Sequence, residues 1–558
     1  MHILGISCFY HDAAACLLKD GNIIAAVEEE RFTRKKHDNN FPINSIKYCL
    51  AEAKISINDI DYIGFYEKPI IKFDRLLSTY IATFPKSYWS FCKAMPSWLT
   101  EKLRIPSLWR KKLKYKGKII FIKHHMSHAA STFLISPFKE AAILTLDAVG
   151  EWTTTSYGYG KDNEIKLLKE IHFPNSLGLF YSAITAFLGF KVNNDEYKVM
   201  GLASYGKPIY YNKLKRLIQV KKDGSFRLNL DYFSYHYNLN MFSKKLEQEF
   251  FEPRMPESKI EQKHKDLAAS LQKLLEDIIV NIANHVYKET KLNRLCLAGG
   301  VALNCVANTE ILKRTKFKEV FIQPAAGDSG GALGVAYHTY NIILKNKRKI
   351  MEHAFLGPEY SNEEIKEFLI KKNIKFEELE EKELLNNVAK LIYDNKIVGW
   401  FQGRMEFGPR ALGNRSILAN PLNKEMKDIL NNKVKHREDF RPFAPTALKE
   451  EAHKYFNIKQ YDPFMLLIAD VKSKKIPAVT HFDNTARLQT IEEKNNPRFY
   501  NLIKEFKRIS KVPVVINTSF NVRGEPIVLS PEHAYSCFMN TGIDILVMNN
   551  FLINKINK

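Results

Sequence analysis

The distribution of apolar and polar positions along the chain predicts most of its elements. Residues 2–7, 13–18 and 23–27 are short apolar runs of strand character. The polar group Lys19-Asp20-Gly21-Asn22 between the last two reads as a hairpin turn. Helical periodicity follows over residues 43–53, then an apolar strand over 60–65. KIIFI (118–122) leads into a helix carrying His124-His125-Met126-Ser127-His128, and AAILTLDAVG (141–150) reads as a buried strand. Further on, NRLCLAGG (293–300) is a strand running into a Gly-Gly turn, with a helix over about 302–313. EVFIQPAAGDSGGALGVAYHTY (319–340) repeats that order of strand, glycine loop and helix. ELLNNVAKLIYDNKIVGWF (383–401) and NLIKEFKRISKVPVVINTSF (501–520) are each a helix feeding a strand. This order predicts an α/β fold with mixed sheets. The basic stretch from Lys345 to Asn362, with Gly357-Pro358, reads as a junction between domains at 1–350 and 360–558.

Composition sharpens this only in places. At 558 residues the chain exceeds what one core normally supports, and 45% hydrophobic with 26% charged residues describes a folded protein. The net charge of +23 invites a nucleic-acid reading. The basic residues are widely scattered, however, and the densest run, Arg110 to Lys118, reads as a solvated face or loop. No nucleic-acid partner is therefore expected. Seven cysteines without a CxxC pair suggest a reducing cytoplasm, and no signal peptide is expected. The most lipid-like segment, Tyr80 to Leu99, is interrupted by Pro85, Lys86, Lys93 and Pro96 and does not span a bilayer. It reads first as a buried amphipathic segment, with an aromatic lid or a membrane-surface patch as alternatives.

His124 and His128 are four residues apart, so their imidazoles project from one helix face and can share an ion. Asp147, at the end of the 141–146 run, would reach that ion from a second element. Such a set leaves coordination positions open, as a catalytic ion requires. Two histidines satisfied by backbone groups are the bland alternative. Gly299-Gly300 and the loop 326–331 offer backbone N–H groups at helix starts, where a phosphate or ribose fits. Tight turns want glycine too. Asp328 reads either as a helix N-cap or as a further metal ligand. His11-Asp12 reads as a base with its orienting carboxylate or as an ordinary turn pair. NDEYKVMGLASYGKP (194–208) suits a polar loop lining a cleft or a helix-end turn. In the second domain Arg404, Arg410, Arg415, Lys435, Arg437, Arg441 and Arg487 are set among Gly, Pro and Phe, and Asn517-Thr518-Ser519 end a strand. Guanidinium forks of this kind suit a phosphate-rich ligand.

Nine segments taken in order carry a resemblance to a known family. They are GISCFYHDAAACLLKDGNIIAAVEEERFTRKKHD, HHMSHAAST, LTLDAVGEW, EYKVMGLASYG, GGVALN, AAGDSGGALG, GRMEFGPRALGNRS, REDFRPFAP and INTSFNVRGEPIV. The sequence resembles the NodU/CmcH-type O-carbamoyltransferases of antibiotic and nodulation-factor biosynthesis. The resemblance implies an N-terminal domain of duplicated actin/hexokinase (TsaD-like) fold and a YrdC-like C-terminal domain. It implies that the C-terminal domain joins carbamoyl phosphate to ATP as carbamoyladenylate, with Mg2+ accompanying ATP. It further implies that a divalent metal, usually iron (Fe2+), assists transfer to a hydroxyl in the N-terminal domain. By motif position the metal ligands would be His124, His128, Asp147 and Asp328. His11 with Asp12 would act as base or orient the acceptor. Gly150, Gly299, Gly300 and Asn304 would hold the adenylate. Arg410, Lys435, Arg441 and Arg487 would grip carbamoyl phosphate, with Asn517 and Ser519 at the nucleotide. Ala148 stands where the family pattern has glycine and Ser204 where it has proline. The expected acceptor is a small-molecule hydroxyl, of a sugar or natural product, and a homodimer is compatible with the chain. A tRNA threonylcarbamoyl transferase and a non-catalytic nucleotide sensor are the competing readings.

Overall fold

The computed structural model describes residues 1–555, so the last three residues of the expected second domain lie outside the described residues. The chain divides into two compact units, residues 1–29 with 39–351, and residues 30–38 with 352–558.

The first unit holds two five-stranded sheets. One is built from β1 (His2–Ser7), β2 (Ala14–Lys19), β3 (Asn22–Glu28), β4 (Tyr62–Phe65) and β5 (Lys118–Phe121), in the order β3-β2-β1-β4-β5. Its first three strands form an antiparallel meander, and β4 and β5 add parallel to β1. The other contains β6 (Glu140–Leu146), β7 (Thr153–Lys161), β8 (Glu164–His172), β9 (Arg294–Ala298) and β10 (Glu319–Ile322), in the order β10-β9-β6-β7-β8. Again a three-strand meander is followed by two parallel strands. Two sheets with one topology are an internal duplication, the actin/hexokinase-type arrangement. The inner strands β1, β2 and β6 are buried on both faces, which is why they read as apolar runs without alternation.

The helices that bear on function are α1 (Pro69–Ala82), α2 (Tyr88–Thr100), α3 (His124–Phe133), α4 (Leu177–Phe187), α5 (Gln262–Thr290), α6 (Cys305–Arg314) and α7 (Asp328–Tyr337). Small residues let α7 approach its neighbours closely. A Cβ on Gly334 would lie 1.9 Å from the Ser127 carbonyl oxygen of α3, and one on Gly5 of β1 would lie 1.9 Å from that of Ala332. The expected buried segment at 80–99 needs correction. It is the end of α1, a turn and most of α2, with Ser90, Met95 and Trp98 inward but Phe84 68% and Trp89 80% exposed. No helix among the described residues is long and apolar enough to cross a membrane.

The second unit is built on an eight-stranded mixed sheet. Its strands are β11 (Glu377–Glu378), β12 (Val398–Phe401), β13 (Arg415–Ala419), β14 (Ala444–Leu448), β15 (Gln489–Ile491), β16 (Val514–Ser519), β17 (Ile545–Met548) and β18 (Phe551–Asn554). They are ordered β11-β18-β17-β12-β13-β16-β14-β15. Helices α8 (Glu381–Tyr393) and α9 (Pro497–Ser510) cover one apolar face. In α9, Phe499, Leu502, Ile503 and Phe506 are buried at the i, i+3, i+4, i+7 positions of a single helical stripe. Residues 30–38 belong to this unit because Arg31 donates to the Gly408 carbonyl (2.8 Å) and Arg34 to those of Pro526 and Ile527 (both 2.7 Å).

Candidate metal centre and ligand sites

The first turn of α3 brings His124 and His128 onto one face, and both rings are fully buried. Their Nε2 atoms face each other at 3.0 Å. Asp147 follows directly on β6 and places Oδ2 3.1 Å from His124 Nε2 and 3.9 Å from His128 Nε2. Asp328 is the first residue of α7, and its Oδ1 lies 3.6 and 3.9 Å from the same two nitrogens. Gly327 occupies the N-cap position of α7, so Asp328 does not serve as the cap. Metal–ligand bonds of ~2.1 Å put ligand atoms ~3.0 Å apart on an octahedral edge and ~3.4 Å on a tetrahedral one. Two imidazoles and two carboxylates converging within 4.8 Å fit a divalent ion of the zinc, iron or manganese type by both spacing and donor chemistry.

The electrostatics point the same way. Burial and the neighbouring His124 charge push His128 down to about 3. Burial opposes charging of His124, yet the Asp328 carboxylate and the hydrogen bond to Asp147 lift it to about 9. Burial also opposes ionisation of Asp147, but His124 and His128 hold it well below the usual carboxylate range. Asp328 is raised to about 6, chiefly by burial. Without an ion, protons supply the positive charge this cluster needs, which a bound cation would replace. Surrounding groups fix the ligands. The Gly300 N–H donates to Asp147 Oδ1 (2.9 Å), and Glu151 accepts from the His124 (3.0 Å) and Lys68 (2.7 Å) N–H groups. Glu151 thereby places negative charge at the N-terminus of α3. The Tyr66 hydroxyl donates to Asp328 Oδ2 at 3.4 Å.

His11 and Asp12 are paired, Nδ1 to Oδ2 at 2.9 Å, and His11 Nε2 meets the Asn193 carbonyl at 2.7 Å. A carbonyl only accepts, so Nε2 carries hydrogen. Burial disfavours the imidazolium, but Asp12 outweighs it and raises His11 to about 10. In this arrangement the residue donates and orients; it has no free ring nitrogen with which to take a proton.

The glycine positions differ in what they do. Gly299 has φ +95°, and a Cβ there would lie 2.2 Å from the Leu146 carbonyl oxygen. A Cβ on Gly150 would lie 2.9 Å from that of His124, so this glycine makes room for the metal-site imidazole, and its carbonyl accepts from Arg75 (2.8 Å). The Asn304 side chain accepts from Ala307 N–H (3.0 Å) at the start of α6 and pairs with the Gln272 amide (3.0 and 3.1 Å). Sequence reasoning missed Tyr66, Glu151 and Arg75. Of these only Glu151 had a signal, lying four residues beyond Asp147.

In the second unit, Lys435 is buried, and its ammonium donates to the Ser519 carbonyl and to the Asn521 carbonyl and Oδ1 (both 3.0 Å). Burial, with Arg437 and Arg441 nearby, holds it well below its ordinary range. Arg441 reaches Glu438 at 3.5 Å. The structure thus brings Lys435, Ser519 and Arg441 into one neighbourhood, together with Asn521, which the sequence reading passed over. Arg410, in the loop before β13, and Arg487 are half-buried; Arg487 is one of the charges beside Asp462 and His481. The Asn517 amide is committed to Thr446 Oγ1 and Gln489 Oε1, both at 3.0 Å within the sheet. Arg404 and Arg415, read as phosphate-gripping, bind carbonyl oxygens instead. Arg404 reaches those of Leu356 and Gly357, and Arg415 those of Gln402, Gly403, Asn414 and Pro358.

The chain is thus a two-unit α/β protein with a duplicated sheet fold and a buried His/His/Asp/Asp cluster able to hold a metal ion, and comparison with known proteins makes its class specific. Residues 2–337 match the model of the carbamoyltransferase N-terminus, and residues 389–555 that of the carbamoyltransferase C-terminus. The chain belongs to the carbamoyltransferase family. It is 48% identical to an uncharacterized protein of Synechocystis over 99% of this chain and 97% of that one. It is also 38% identical to nodulation protein NolNO of Sinorhizobium fredii, over 98% of this chain and 79% of the other. A solved HypF from T. kodakarensis aligns with 62% of this chain and 48% of its own at 14% identity, with a TM-score of 0.33.

Proposed function

We propose that this carbamoyltransferase is ATP-dependent and acts on a hydroxyl. In this reading the second, YrdC-like unit converts carbamoyl phosphate, water and ATP to carbamoyladenylate, releasing phosphate and pyrophosphate. The first unit then transfers the carbamoyl group to a sugar or natural-product alcohol, freeing AMP. The observation that carries the reading is the convergence of His124, His128, Asp147 and Asp328 inside the region that matches the carbamoyltransferase N-terminus. A divalent ion held there, Fe2+ in the family resemblance, would supply Lewis-acid stabilisation of negative charge on oxygen. A carbamoyl carbon is a poor electrophile because its nitrogen donates into the carbonyl, so activation as a mixed anhydride must precede transfer. The acceptor oxygen forms the new bond to that carbon, the adenylate oxygen leaves with the bonding pair, and the acceptor's proton passes to the departing AMP phosphate or to solvent. His11, with one ring nitrogen held by Asp12 and the other by the Asn193 carbonyl, would help to orient the acceptor by fixing the loop that carries it. Gly300 and Glu151 keep Asp147 and His124 in place. Lys435, Arg441 and Ser519 would bind the phosphate groups of the first half-reaction.

The test is incubation with ATP, radiolabelled carbamoyl phosphate and either a panel of sugar and aminoglycoside alcohols or tRNA. Label on a small alcohol with stoichiometric AMP is the expected outcome. Label on tRNA alone would replace this reading with a threonylcarbamoyl-type transfer.

A further inference from the structure

Residues 68–118 contain thirteen Lys or Arg and two Asp or Glu, so about half of the chain's net charge of +23 lies in this one stretch. Of these basic residues, Lys86, Lys93, Arg104, Arg110, Lys111, Lys112, Lys114, Lys116 and Lys118 are exposed. The same stretch turns large apolar side chains outward. Ile81 is 68%, Phe84 68%, Tyr88 50%, Trp89 80% and Leu99 54% exposed, with four of the five between residues 81 and 89, at the turn joining α1 to α2. On α2 the outward face carries Tyr88, Trp89, Cys92, Lys93 and Leu99, while Ser90, Met95 and Trp98 face the protein. Trp89 and Lys93, four residues apart, are neighbours on that face. Lys86 sits in the turn, its ammonium 5.6 Å from the Tyr237 ring centroid.

We infer that the α1–α2 turn is a docking surface for an anionic phospholipid bilayer. Aromatic and aliphatic side chains flanked by lysines are what an interfacial helix lowers into the headgroup region. Anionic lipid attracts Lys86 and Lys93 at the turn, with the rest of the stretch's charge adding a longer-range field, and neither helix is long and apolar enough to cross the bilayer. Charge decides between occupants. A second copy of the chain would bring an equally basic surface and be repelled. Nucleic acid would satisfy the lysines but gain nothing from Ile81 and Leu99. Only an anionic bilayer uses both sets of side chains.

The full-length protein is tested by co-sedimentation with phosphatidylcholine vesicles containing phosphatidylglycerol, and with phosphatidylcholine alone. Cys92 is the one exposed cysteine of seven, so a polarity-sensitive fluorophore can be placed there selectively. Expected are binding to the anionic vesicles only, a rise in Cys92-probe emission on binding, and about tenfold weaker partitioning for F84S/W89S. Both substituted side chains are exposed, so the variant should keep the parental melting temperature, which excludes misfolding as the cause. The proposal is overturned by failure to bind anionic vesicles. It is equally overturned by F84S/W89S binding as tightly as the parent, by a silent Cys92 probe on bound protein, or by RNA displacing the protein from vesicles while binding it more tightly. None of these readouts depends on the carbamoyl chemistry proposed above.

Discussion

Substituting Gly334 tests whether the close packing of α7 on α3 places Asp328. In an ordinary helix interior, Gly→Ala stabilises by about 1 kcal/mol. Here the added Cβ would lie 1.9 Å from the Ser127 carbonyl oxygen and 3.0 Å from Ser131 Cβ. Both partners are in α3 and the nearer is backbone, so the helices must part by about 1.5 Å to restore ordinary contact. Overpacking of this kind costs about 1–3 kcal/mol or somewhat more. Ser127 adjoins His128, and Asp328 begins the displaced helix, so the same movement would widen the 3.6 and 3.9 Å spacings between Asp328 and the two imidazoles. Misplacement by about 1 Å costs on the order of a hundredfold in a catalytic site. We expect G334A to melt lower than the parent and to lose about a hundredfold in metal affinity and in acceptor carbamoylation. Metal content after equilibration, measured by mass spectrometry, and thermal unfolding report the two effects separately. Gly327, which adjoins Asp328, is the control, because a Cβ there meets nothing within 4 Å. G327A should bind metal nearly as the parent does. Parental melting and metal affinity in G334A would refute the packing argument, and equal losses in both variants would show that any change near Asp328 suffices.

Three further outcomes are expected. D147N keeps the volume of the side chain but removes the charge facing His124 at 3.1 Å; acceptor carbamoylation should fall at least ~100-fold while ATP- and carbamoyl-phosphate-dependent pyrophosphate release persists, and joint loss of both would argue against separate half-reactions. Burial raises Glu276 to about 7, so between the unfolded value and 7 the native state holds more protons than the unfolded state and stability falls as pH rises. The effect is bounded at about 3 kcal/mol, E276Q should remove it, and urea unfolding on either side of this range reads it directly. R415M would leave buried carbonyls of Gln402, Gly403, Asn414 and Pro358 without their donor and should cost ~3 kcal/mol or more, so an unchanged urea midpoint would contradict the structural role assigned to Arg415.

The convergence of the four cluster residues was legible because their positions are written locally. His124 and His128 repeat at helical spacing, and Asp147 and Asp328 stand at a strand end and a helix start. Each position limits where a side chain can point before any tertiary contact is known. Glu151, Tyr66 and the Gly334 seam were not legible in this way. Their roles depend on meeting His124, Asp328 and Ser127 from other elements, and no periodicity encodes those meetings. The duplicated topology lies between these cases. The apolar runs marked the inner strands, but the equivalence of the two meanders emerges only from their pairing.

The arginines show where composition misleads. Arg410, Arg415 and Arg441 have similar sequence surroundings of Gly, Pro and Phe, and a phosphate loop and a tightly folded loop call on those same residue types. What separates them is how each guanidinium spends its donors. Arg415 is fully buried against the Phe401 ring and distributes its N–H groups over four carbonyls, leaving it no role as a phosphate fork. Lys435 differs in kind, because it is a buried cation whose acceptors are carbonyls and an amide, with no carboxylate among them. Burial and two neighbouring guanidinium groups already hold its charged form at a disadvantage, so an anion arriving there gains more than it would at an exposed lysine. The same reasoning applies in reverse to the exposed lysines of residues 68–118, which are individually cheap and whose proposed effect would come from number and from the apolar side chains among them. One basic chain therefore places positive charge in three settings: tied to the carbonyls of its own loops, buried at Lys435 where the proposed function puts a phosphate, and exposed on the stretch proposed to meet an anionic bilayer.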